Sequence, residues 1–152
     1  AEHAGNRAYF GQPRVDAAPK SPIYAPLQPI AKLREATPAL QPGLQVNERL
    51  KGDEAVFFRV LQQGEVAQTA LVLLNKGDQA RSFTVARYVQ AGRWRDALDG
   101  GSLQVDASLK AEVPAHGVKV YVLDAAVQQP ALQAELDKAM TDQKARDQRL
   151  GR

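Results

Sequence analysis

From residue 44 onward the apolar positions recur at every second residue, the period of a half-buried β-strand. LQVNERLK (44–51), EAVFFRVLQ (54–62), AQTALVLLN (67–75), RSFTV (81–85), RWRDAL (93–98), SLQV (102–105), LKAEV (109–113) and VKVYVLD (118–124) all follow it. Between them stand Gly52-Asp53, Gln63-Gly64-Glu65, Lys76-Gly77-Asp78 and Asp99-Gly100-Gly101, residues that accept the positive φ of tight connections. Eight short strands at hairpin spacing predict a mainly β domain, a sandwich or a barrel. ALVLLN is apolar on both faces and is expected at the centre of a sheet, covered on both sides, with VKVYVL pairing beside it.

The period changes on either side of this block. In SPIYAPLQPIAKLREATPAL, Ile23, Leu27, Ile30 and Leu33 share one helical face. Ser21 is placed to cap such a helix and Pro22 suits its first turn. Pro26 and Pro29 weaken the start, so the solid part is expected over 27–36. Thr37-Pro38 should end it, because a residue before proline avoids the α region. Residues 1–21 show no clean period and are expected to form a loop. After Pro130 a helix is expected again, with a thin stripe of Leu132, Leu136, Ala139 and Met140 that docks only weakly. The organisation that follows is 1–42, loop plus helix; 43–124, all-β; 125–152, a helical tail.

Composition removes several classes of function. The 152 residues are 44% hydrophobic and 24% charged, with net charge +3 and no cysteine. Disulfides, thiolate catalysis and Cys-type zinc sites are thereby excluded. Residues 43–124 carry ten basic and ten acidic side chains, so this segment has no field to draw in polyanions, and nucleic acid is not expected as a partner. No run approaches the roughly 20 apolar residues of a membrane span, so no membrane partner is expected either. The chain opens AEHAGNRAYFG, with neither an initiator Met nor a signal-peptide pattern; a mature N-terminus and a fragment both fit, and a piece of a longer protein is expected.

Candidate chemistry is sparse. His3 and His116 are the only histidines, and His116 lies in a Pro-Ala-His-Gly turn where its ring is expected to bond local backbone. There is no G-x-S-x-G, G-x-G-x-x-G, P-loop or H-E-x-x-H. Glycosidic cleavage needs one protonated and one ionised carboxyl at a fixed separation. The nearest candidates, Asp53-Glu54 and Asp96/Asp99, sit at turns, where water is expected to keep their pKa values ordinary. Trp94 alternates with Arg93 and Arg95, which predicts the indole in the core and the guanidiniums outside. Asn6, Arg7, Tyr9 and Phe10 are the remaining candidates, because Arg and aromatic side chains together in a loop can hold a polar ligand.

Two stretches resemble one family. PIAKLREATPALQPGLQVNERLKGDEAVFFRV is similar to the junction between catalytic barrel and β-domain in the α-amylase superfamily (glycoside hydrolase family 13), through Leu33-Arg34, Pro38-Ala39-Leu40, Gly43 and Val56-Phe57-Phe58. RWRDALDGG followed by VPAHGVKVY resembles the end of that family's antiparallel C domain, which implies an antiparallel Greek-key β-sandwich over residues 43–124. GNRAYFG is similar to the loop after the eighth barrel strand in cyclodextrin glucanotransferases. Asn6-Arg7 match that loop, and His3 and Ala4 stand where the family has Asp and Pro. The resemblance implies that residues 1–42 end a (β/α)8 barrel and that the rest of that barrel is the partner. It also implies an α-glucan-active parent enzyme, cyclomaltodextrin glucanotransferase or α-amylase, periplasmic or extracellular, with starch or maltodextrin as substrate. Arg7 would then help hold glucose units. The family's catalytic Asp, Glu and Asp and its calcium ligands lie upstream, so no catalytic residue, metal ligand or cofactor maps here, calcium being a feature of the parent. This chain alone would support the barrel and be inactive. Two other roles fit the pattern: a stand-alone carbohydrate-binding sandwich with Trp94 or Tyr88 as an exposed platform, and an interaction module using the C-terminal helix.

Overall fold

The structure, a computed structural model, describes residues 11–149. It divides between Ala36 and Thr37 into two compact units.

In the first unit, α1 (Gln12–Ala17) runs into a 3-10 turn (Ala18–Lys20), followed by α2 (Tyr24–Ala36). The loop expected over 1–21 is therefore helical in its described part from Gln12. Pro13 and Pro19 do not prevent this, since each stands in a first turn, where a missing N–H breaks no helical bond. α2 begins three residues before the expected start for the same reason. Pro26 falls among the first N–H positions, and only Pro29 removes an internal bond. Ser21 is at the expected entry: Ile23 N–H approaches its Oγ at 3.4 Å, and Tyr24 N–H donates to its carbonyl at 3.0 Å. Of the predicted apolar face, Leu33 is buried, whereas Ile23, Leu27 and Ile30 are 66, 53 and 47% exposed. The helix ends before Thr37, whose backbone is extended ahead of Pro38.

The second unit holds β1 (Leu44–Lys51), β2 (Glu54–Gln63), β3 (Val66–Asn75), β4 (Arg81–Val85), β5 (Gly92–Asp96), β6 (Ser102–Val105), β7 (Leu109–Val113), β8 (Gly117–Leu123) and α3 (Pro130–Arg149). One antiparallel sheet has the order β1-β2-β3-β8-β5-β6; a second consists of β4 and β7. The chain leaves the large sheet after β3 and again after β6, and returns through β8 between β3 and β5. That crossing is what makes the domain mainly β and sandwich-like. Gly52, at φ +59, turns β1 into β2.

β3 is central, paired with β2 along one edge and β8 along the other, and Ala70 to Leu73 are all buried. Leu71 and Leu73 face the sandwich core. On the opposite face the 3-10 turn Pro38–Leu40 packs over β2 and β3. Ala39 N–H donates to Gln68 Oε1 at 3.0 Å, and Gln68 Nε2 donates to Asp124 Oδ1 at 2.6 Å. Gly43 is required by this approach: a Cβ there would stand 2.2 Å from the Ala39 carbonyl oxygen.

Two strands cannot cover six. The remaining inner face is closed by the loop after β4 and by α3, since Tyr88, Val89 and Leu132 belong to the same buried cluster as Val46, Phe58 and Leu71. Tyr88 holds φ +68, and its ring meets Phe58 edge-on at 5.8 Å. Its hydroxyl donates to Glu135 Oε1 at 2.9 Å. Leu132 is 1% exposed, Leu136 packs against the core, and Met140 at 60% lies outside. The stripe thus docks by its first two turns.

Candidate functional site

The carboxylates fall at two places. At the β1–β2 turn, Glu54 accepts from Arg49 Nη1 at 2.8 Å and Arg81 Nη1 at 3.1 Å, while Asp53 lies 3.5 Å from Lys76 and 3.8 Å from Arg81. Burial raises the Glu54 pKa, but the two guanidiniums outweigh it and the net shift is downward. After β5, Asp96 Oδ1 accepts from the N–H groups of Leu98 (3.1 Å) and Asp99 (3.0 Å), and Oδ2 accepts from Lys119 Nζ at 3.0 Å. Burial again acts upward, and these bonds again win. Lys119 also donates to Asp99, and the two carboxylates hold it above the ordinary lysine range. The expectation of ordinary pKa values is corrected for Glu54 and Asp96. Cation pairing and backbone donors, not bulk water, set their protonation. Both are pushed away from what a general acid needs, a carboxyl kept neutral. Neither pair spans a cleft; Asp53 and Glu54 are consecutive, and Asp96 and Asp99 share one ammonium.

His116 takes φ +51 in its turn, with its N–H on the Gly77 carbonyl at 3.2 Å. Its ring nitrogen, however, meets Asp78 Oδ1 at 3.0 Å, a side chain where backbone was expected. Both side chains are exposed, 66% and 91%, so the pair is screened. Trp94 is fully buried, as its alternation with arginines predicts, and Nε1 donates to the Gln90 carbonyl at 2.9 Å. Tyr88 is 2% exposed. An exposed platform at Trp94 or Tyr88 is thus ruled out, because the core takes both rings. Asn6, Arg7, Tyr9 and Phe10, with His3, lie outside the described residues. Among the described residues no group of three or more His, Asp or Glu could hold a metal ion, and no helix is long and apolar enough to cross a membrane.

One concavity was not foreseen. An open pocket of about 720 Å³ lies at the end of β5, β6 and β8. Arg93 and Arg95, two apart and on one face of β5, border it with Ser102, Asp124 and Gln128. Arg93 Nε donates to Ser102 Oγ at 2.7 Å; Arg95 stands 3.8 Å from Asp124, beyond hydrogen-bond reach. The sequence signal was the outward arginine pair itself. That Asp124 and Gln128 come to the same place follows only from the pairing of β5 with β8.

No protein-family model and no curated protein matches this sequence. Solved structures do match in fold. The α-amylase of Geobacillus thermoleovorans, complexed with acarbose, aligns over 65% of this chain at TM-score 0.56 and 20% identity. An Anoxybacillus α-amylase aligns over 63% at 0.54 and 20%, and a trehalulose synthase over 69% at 0.51 and 20%. The aligned part spans only 22, 21 and 18% of those chains. At such identities the likeness is one of fold, and at that level the resemblance to α-amylase-type proteins is present.

Proposed function

We propose that this chain is the C-terminal part of an α-glucan-active glycoside hydrolase or glucanotransferase, in which it supports a catalytic barrel and contributes no catalytic carboxylate. The observation that carries this reading is the shared fold with the two α-amylases, over about a fifth of their length. Two features of the chain agree with it. Ile23, Leu27 and Ile30 present an exposed apolar edge suited to a neighbouring sheet, and the partner proposed for it is the rest of the barrel. The carboxylates Glu54 and Asp96 are tied to cations and cannot serve as a retaining pair, which stands about 5 Å apart with one member protonated. Starch or maltodextrin would then be the parent's substrate, acted on in the periplasm or outside the cell.

Two measurements test this. The purified chain incubated with soluble starch is expected to release no reducing ends above a blank; sustained release overturns the support role. Reading the gene upstream of the Ala1 codon is expected to show a barrel with Asp, Glu and Asp at successive strand ends. A different upstream domain, or a start codon there, overturns the parentage.

A further inference from the structure

The pocket beside β5 offers more donors than its own residues use. A guanidinium carries five N–H groups. Arg93 commits one, to Ser102, and Arg95 makes no direct hydrogen bond within the pocket. The two side chains leave the same strand face, their Cα atoms roughly 7 Å apart at ~3.3 Å rise per residue. Against them stands the single carboxylate of Asp124, which already accepts from Gln68. The lining therefore has net charge +1 and an excess of fork-shaped donors, the arrangement that suits a carboxylate or phosphate oxyanion. Its volume, about 720 Å³, is far more than an isolated oxyanion fills. Gln128 is exposed at the wall, and Asp124 Oδ2 faces Arg95 at 3.8 Å without a hydrogen bond, so both can meet hydroxyl groups.

We propose that this pocket binds an anionic saccharide, with the oxyanion on Arg93 and Arg95 and hydroxyls on Asp124 and Gln128. The anion can be a sugar phosphate or a uronate; both offer the same planar or tetrahedral oxygens to the guanidiniums. The site does not depend on the support role proposed above. Glu54 and Asp96 take no part in it.

The test is amide chemical-shift titration of the full chain with glucose 6-phosphate, glucuronate, inorganic phosphate and glucose. Glucose 6-phosphate or glucuronate is expected to shift Gly92, Arg93, Ser102, Asp124 and Gln128 saturably, and whichever binds tighter identifies the source of the anion. The double variant Arg93→Gln/Arg95→Gln, at exposed positions and expected to keep its melting temperature within a few degrees, is expected to bind at least tenfold more weakly. Raising the salt from 50 to 300 mM is expected to weaken binding by the wild type. The proposal is overturned if neither anionic sugar shifts these amides. It is equally overturned if inorganic phosphate binds as tightly as glucose 6-phosphate, or if neutral glucose binds as well as either and the double variant matches the wild type.

Discussion

Asp96 shows how a side chain at an exposed-looking turn becomes a structural acid. Its oxygens collect two backbone N–H groups and the Lys119 ammonium, and the residue is 8% exposed. The sign of its pH effect follows from the direction of its shift. The folded pKa lies below the ordinary 3.8, so its contribution is complete above that value and is lost as the pH falls through and below it. Glu54 behaves alike from its ordinary 4.5. Denaturant titrations between pH 7 and pH 2.5 are expected to show stability declining below about pH 4.5. Asp96→Asn should lower stability at pH 7 and make that decline shallower; an unchanged slope would refute the assignment. Trp94 acts through volume instead. Trp94→Ala is expected to cost about 3–5 kcal/mol in urea unfolding, through the cavity and the unpaired Gln90 carbonyl. Because the indole is buried, maltoheptaose should leave the fluorescence of the wild type unshifted.

At the scale of elements, α3 matters more than its composition suggests. It is a polar helix with few large apolar residues, yet Leu132 fills the gap that two strands leave over six, and Gln129 Oε1 caps its start through Leu132 N–H at 2.7 Å. The entering segment is threaded by side chains: Gln90 Oε1 accepts from Gln128 N–H at 2.5 Å, and Gln62 Oε1 from Val127 N–H at 3.0 Å. Leu132→Ala is expected to destabilise by about 2–5 kcal/mol. Deleting residues 145–152, which follow the docked turns, should change stability by less than about 0.5 kcal/mol. Equal losses from the two changes would show that the helix docks along its whole length. Strand β3 was legible in advance, since a run apolar on both faces has only one stable place in a sandwich, the middle. The helical segment from Gln12 was not legible, because prolines read as breakers only when their position within a turn is unknown.

Across the whole molecule, the division after Ala36 predicts that residues 37–152 fold alone. That fragment is expected to melt in one cooperative transition within a few degrees of the full chain, by circular dichroism; loss of cooperativity would mean that residues 1–36 belong to its core. Local sequence settles the eight strands and their limits to within one or two residues, the end of α2 at Thr37-Pro38, the inward Trp94, and the poverty of catalytic groups. Each of these is written in local periodicity, turn residues or a steric rule acting over a few neighbours. Only the tertiary structure decided that Tyr88 and Leu132 complete the core, that Lys119 holds Asp96 and Asp99 together, and that Asp124 and Gln128 meet Arg93 and Arg95 around one pocket. Those outcomes depend on which strands become neighbours, and strand order joins residues tens of positions apart that no local pattern connects.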